Sequence, residues 1–131
     1  MFNNGASRPG GNWSSVDELL LPFDRRRGFL REPGLTFEPA APAWSYSDRE
    51  AFYSPFISGA SRLANGNTLI CDGARGRVFE VTPEHKVVWD YWSPLGGEIQ
   101  RGAKEGKSPA KALFRATRIP LGHPGLEGRF P

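Results

Sequence analysis

The sequence predicts an all-β chain, and three observations carry that prediction. Residues 57–94 break into four short β-prone runs, three tight-turn signals separate the runs, and an aromatic pair from the last run recurs upstream. The turns are Asn65-Gly66-Asn67, the stretch from Gly73 to Gly76, and Thr82-Pro83-Glu84-His85. Asn-Gly supplies the positive φ of a tight hairpin turn, and Pro presets the backbone of another. Between the turns, Leu69/Cys71, Phe79/Val81 and Val87/Trp89/Tyr91 recur with period two, the spacing of one strand face. Together these features predict one antiparallel four-stranded sheet over residues 57–91 and no helix longer than about two turns.

A lone sheet of this kind exposes both faces and needs neighbours like itself, which is the situation of a propeller blade. The chain holds traces of such neighbours. Ala43-Trp44-Ser45-Tyr46 matches Val88-Trp89-Asp90-Tyr91, with the two tryptophans 45 residues apart, inside the roughly 40 to 50 residue period of blades. Met1-Phe2-Asn3-Asn4-Gly5 reads like the run from Leu69 to Gly73. Ser15-Val16-Asp17-Glu18-Leu19 stands where Arg77-Val78-Phe79-Glu80-Val81 stands, with Pro22 in the role of Pro83. The expected architecture is therefore a partial β-propeller: one complete four-stranded antiparallel blade plus pieces of the neighbouring blades. Residues 1–22 are expected to be the last strands of a truncated blade and 23–42 a long loop. Residues 43–94 should hold the outer strand of the preceding blade and one complete blade, 95–110 a flexible loop, and 111–131 a C-terminal strand and tail.

Composition narrows the function classes. A closed propeller needs at least four blades, well over ~160 residues at about 40 each, whereas the chain has 131. The 17 basic residues against 14 acidic ones leave a net charge of +3, and they are scattered rather than striped, which argues against nucleic-acid binding. No apolar run follows Met1, so neither a signal peptide nor a membrane span is expected within these residues, and an export signal would lie upstream. A single cysteine, Cys71, excludes an internal disulfide and a multi-cysteine zinc site. Its mid-strand position suits a small buried hydrophobe. Asn12-Trp13-Ser14 fits the glycosylation pattern, which matters only in a eukaryotic secretory pathway.

Several runs resemble one family. Phe52-Tyr53-Ser54-Pro55-Phe56-Ile57-Ser58-Gly59-Ala60, then Arg62-Leu63, Asn65-Gly66-Asn67-Thr68-Leu69-Ile70-Cys71, Phe79-Glu80-Val81-Thr82-Pro83 and Val88-Trp89 are similar to the C-terminal region of bacterial arylsulfotransferase-type propellers. Arg8-Pro9-Gly10-Gly11 and Ser15-Val16-Asp17-Glu18 agree with it near the start, and Phe114-Arg115-Ala116 with Pro124-Gly125-Leu126 near the end. The resemblance implies a six-bladed enzyme, periplasmic or secreted, that moves a sulfuryl group from a phenol sulfate to a phenol acceptor through a sulfated histidine. Such chemistry needs no metal or cofactor: a neutral imidazole attacks sulfur while flanking His and Arg groups stabilise charge on the sulfate oxygens. The nucleophile is expected outside this chain, which alone should be inactive. The alternative is a non-catalytic propeller that binds a ligand or a protein partner.

The residues of the chain itself divide accordingly. His85, in the turn Pro83-Glu84-His85-Lys86, is expected as a solvated loop residue, and His123, before Pro124, as part of an extended tail. Arg62 is the stronger candidate for binding an anion, since it follows the small residues Ser58, Gly59, Ala60 and Ser61 on the strand placed nearest the channel; the competing reading pairs it with a carboxylate between blades. Arg115, in the corresponding run ending at Arg118, and the hydroxyls of Ser58 and Ser61 complete the candidate substrate-binding set. Related blades often carry histidine where Ser61 stands, which weakens catalysis from this blade. Gly102 to Ser108 resembles a phosphate loop but has three residues between its glycines where four are required. Trp44, Tyr46, Trp89, Tyr91 and Trp92 are expected to fill the wedge between blades. With sheet edges unpaired, the isolated chain should also self-associate.

Overall fold

A computed structural model describes residues 1–29, 34, 39–95 and 111–129. The loop expected over 95–110, past its first residue, and the middle of the one expected over 23–42 lie outside the described residues. The strands are β1 (Phe2–Asn3), β2 (Ser15–Glu18), β3 (Phe23–Asp24), β4 (Gly28–Phe29), β5 (Trp44–Ser47), β6 (Ser58–Arg62), β7 (Thr68–Asp72), β8 (Arg77–Val81) and β9 (Val87–Trp92). Among the described residues the helical turns are two three-residue 3-10 segments, Gly73–Arg75 and Pro124–Leu126. The chain is all-β, with antiparallel pairing throughout these sheets.

The four-stranded sheet has the order β6-β7-β8-β9. Its first turn forms where the sequence demands it: Gly66 has φ +87°, its N–H donates to the Leu63 carbonyl at 3.0 Å, and the Asn67 N–H donates to Asn65 Oδ1 at 3.1 Å. Every residue of β7 is buried because both faces of this strand are covered. On one face Ile70, Phe79 and Val81 join Val16, Tyr46 and Phe52 in the main core. On the other, Leu69, Cys71 and Val78 pack with Leu63, Leu113 and Ala116.

The second sheet, β1-β2-β5, supplies Val16 and Tyr46 to the main core, with Phe2 and Trp44 packed against it. Its register repeats that of the larger sheet. Val16 faces Tyr46 and Glu18 faces Trp44, as Val78 faces Tyr91 and Glu80 faces Trp89. The pairing moves the sequence alignment of the first strand by one residue: Phe2, opposite Val16, corresponds to Cys71, opposite Val78, rather than to Ile70. The reason is the period of the pleat, which puts Phe2 on the packed face, its ring 5.5 Å from Phe52 and edge-on to it.

Two other expectations meet a different outcome. The 23–42 loop carries a small hairpin, β3-β4, whose turn is closed by Asp24 Oδ1 accepting the N–H groups of Arg26 and Arg27 at 2.8 Å. The C-terminal stretch 112–120 forms no strand. It lies as extended chain across the face made by Leu69, Cys71 and Val78, tied by the Leu113 N–H to the Gly73 carbonyl at 2.8 Å. Gly73 permits that approach, because a Cβ there would collide with the carbonyl oxygens of Leu113 and Ile57.

Candidate functional site

Two of the candidate residues, Arg62 and Ser58, lie at the seam between the two sheets. Arg62, at the end of β6, reaches across to β2 and forms an ion pair with Glu18. Its guanidinium also lies over the Trp44 ring at 4.6 Å and donates to the Gly66 carbonyl at 2.9 Å. Trp44 in turn donates its indole N–H to the Pro83 carbonyl at 2.9 Å. His85 adopts φ +68° in the β8-β9 turn, and its ring meets Trp44 at 5.5 Å and Tyr46 at 5.9 Å, both edge-on. The imidazole is exposed to solvent, as expected of a loop residue, yet it also packs on the neighbouring sheet. Arginine, indole, carboxylate and imidazole together clasp the rims of the two sheets.

Ser58 opens β6 at the other end of the seam. Its hydroxyl accepts from Asn4 Nδ2 at 3.0 Å, and the same amide donates to the Ser54 carbonyl at 2.6 Å. Ser14 extends this network, its hydroxyl donating to the Asn4 carbonyl at 2.9 Å and accepting from the Ser54 N–H at 2.9 Å. Ser61 is exposed on β6 between these two clusters. Arg115 is exposed on the C-terminal stretch, and among the described residues it forms no ion pair. The four candidate residues therefore do not converge: Arg62 and Ser58 are occupied at opposite ends of β6, and Arg115 belongs to the opposite face of the sheet.

Asp72 at the end of β7 has no solvent exposure, and among the described residues neither carboxylate oxygen has a well-aligned hydrogen-bond donor, although the Ser54 hydroxyl and the Arg75 N–H lie beside it. Its nearest cation is Arg75, at 3.8 Å. Burial pushes its pKa above the ordinary carboxylate range, against the pull of Arg75. Sequence reading missed Asp72 because Cys71-Asp72-Gly73 looks like a strand running into a turn, where an aspartate is ordinarily solvated. By contrast Asp90 is held below its ordinary value by Arg77, which donates to both carboxylate oxygens at 2.9 Å. Cys71 is buried, and burial raises its pKa, so the thiol stays protonated and behaves as a small apolar residue. His123 caps the last helical turn, its Nδ1 accepting from the Gly125 N–H at 3.1 Å.

Among the described residues no three potential metal ligands come together, and no helix is long and apolar enough to cross a membrane. The arrangement defines a pair of stacked antiparallel sheets built on a repeated unit. Comparison with models of protein families, with curated proteins and with solved structures finds no match.

Proposed function

We propose that the chain forms stacked blades of an arylsulfotransferase-like β-propeller, in which a sulfuryl group passes from a phenol sulfate to a phenol acceptor through a histidine supplied by other blades. The observation that supports the blade reading is the repeated register of the two sheets, Val16–Tyr46 and Glu18–Trp44 against Val78–Tyr91 and Glu80–Trp89. The sulfuryl-transfer part rests on the resemblance of residues 52–63, 65–71 and 79–83 to that family. On this reading the chain contributes scaffold. His85 packs on Trp44 and Tyr46, His123 caps a turn, and the Arg62 guanidinium is shared between Glu18 and Trp44. Ser61 and Arg115 are the candidate positions whose side chains stay open to an anion.

The test compares the chain alone with the polypeptide that carries it in the cell, using 4-nitrophenyl sulfate as donor and phenol as acceptor. The chain alone is expected to release no nitrophenolate above the blank. The larger polypeptide is expected to release it and to carry a sulfated histidine outside these residues. Release by the chain alone that disappears in His85→Ala or His123→Ala would overturn the scaffold assignment. No release by the larger polypeptide would favour a non-catalytic propeller.

A further inference from the structure

The β3-β4 hairpin stands apart from both larger sheets. Its two strands pair with each other and with no other strand, and none of its residues belongs to either core cluster. Phe23 and Phe29 lie opposite each other on it, ring centroids 5.1 Å apart and edge to face, and they stay 61% and 59% exposed. The run that leads into the hairpin adds further apolar surface, since Leu20 is 71% exposed and Leu21 51%. Single exposed hydrophobes are ordinary, but a cluster of this density within residues 20–29 marks a surface that meets something.

The turn that joins the two strands is Arg25-Arg26-Arg27, three exposed cations in sequence. Asp24 is the sole acidic residue between Leu19 and Phe29, and its Oδ1 is engaged by the Arg26 and Arg27 N–H groups at 2.8 Å. The arginine turn is thereby fixed at one end of the apolar face. The ion pairs among the described residues use Arg62, Arg75, Arg77 and Arg118 and none of these three guanidiniums. Apolar side chains beside a cluster of cations are the composition of an element that lies in a membrane interface, with the first against acyl chains and the second among headgroup phosphates. Nucleic acid fits less well. Bases stack on flat ring faces, whereas Phe23 and Phe29 turn edge to face on each other and the leucines offer no ring. Strands of two residues also give little backbone edge for a partner strand, while acyl chains conform to whatever apolar surface is offered.

We propose that the β3-β4 hairpin, together with Leu20 and Leu21, docks on an anionic lipid surface. The phenylalanine pair and the leucines enter the boundary of the acyl chains, and Arg25, Arg26 and Arg27 reach the headgroup phosphates with paired N–H donors. This is adsorption to one leaflet rather than a span. It stands apart from blade stacking and from sulfuryl transfer, so failure of either reading leaves this one to its own test.

That test is flotation of the whole chain with lipid vesicles, in which aggregated protein stays at the bottom of the gradient. Vesicles of phosphatidylcholine containing phosphatidylglycerol are expected to carry the chain upward at low ionic strength, and raised salt or pure phosphatidylcholine to carry much less. R25Q/R26Q/R27Q is expected to lower the partition coefficient about a hundredfold, near fivefold for each cation removed, the factor that corresponds to about 1 kcal/mol per basic residue. F23S/F29S is expected to lower it by about tenfold or more. Because serine at the paired positions also weakens the hairpin, L20S/L21S, outside the strands, is the second apolar variant and is expected to lose about as much. No flotation with the phosphatidylglycerol vesicles overturns the proposal. Flotation that any one of the three variants leaves unchanged overturns it as well, and retention in both apolar variants would assign the arginines to polyanions such as nucleic acid.

Discussion

Phe79→Ala should be the most destabilising single truncation of the inter-sheet seam. Phe79 has no solvent exposure, sits 5.4 Å from Phe52 in a T-shaped pair and 5.9 Å from Tyr46, and carries the Arg77 guanidinium over its ring at 4.2 Å. Removing a buried phenylalanine costs about 3 to 5 kcal/mol through lost transfer energy and the residual cavity. Two lost aromatic pairings place this site toward the upper end of that range. With a urea slope of roughly 2 kcal/mol per M for a small domain, ~4 kcal/mol lowers the midpoint by about 2 M. Trp89→Ala, on the exposed strand β9, should cost about 1 kcal/mol or less. Urea titrations followed by far-ultraviolet circular dichroism measure both on one scale. A Phe79→Ala loss no larger than that of Trp89→Ala would refute the packing of the two sheets through this ring.

Asp72→Asn should stabilise the chain at neutral pH by on the order of 1 kcal/mol, because it removes a buried charge whose oxygens have no well-aligned hydrogen-bond donor among the described residues. Burial raises the folded-state pKa of Asp72, so its contribution is least unfavourable below the unfolded value of about 3.9 and worsens as pH rises through the folded value. Thermal melts of both proteins at pH 7 and pH 3.5 should show the gain at the first and little at the second; equal gains would refute the charge argument. Gly66→Val should lower stability by about 1 to 3 kcal/mol, since φ +87° is strained for a β-branched residue, and an unchanged melting curve would contradict that turn. Gly73→Ala should release the C-terminal stretch, because its methyl would meet the Leu113 and Ile57 carbonyls; faster amide exchange at Leu113 is the expected sign, and unaltered exchange would contradict the close approach.

The larger sheet was legible because its signals are local. Asn65-Gly66 dictates one turn, and alternation at Leu69/Cys71 and Phe79/Val81 dictates faces that the pleat then separates. The smaller sheet was legible through the Trp-x-Tyr repeat, though its two-residue first strand gave too little pattern to fix the register of Phe2. β3-β4 escaped notice for the same reason of length, its pairing set by the Asp24 side chain rather than by apolar alternation. The run 112–118 has the look of a strand, but a strand needs a partner, and the chain lies instead against side chains. At the seam, the sequence pointed to Arg62 but not to Glu18, which lies 44 residues away and meets it through the stacking of two sheets. Asp72 was invisible for a related reason: its burial comes from residues distant in sequence.

The measurement that tests the account most directly is nuclear Overhauser spectroscopy of the chain in solution. Stacked sheets of a shared unit require ring-to-ring contacts between Tyr46 and Phe79, whose centroids lie 5.9 Å apart, and cross-strand contacts that place Trp44 opposite Glu18 as Trp89 lies opposite Glu80. Both sets of cross-peaks are expected. A spectrum with the β6-β9 contacts intact but no Tyr46–Phe79 contact, or with Glu18 opposite any residue other than Trp44, would contradict it.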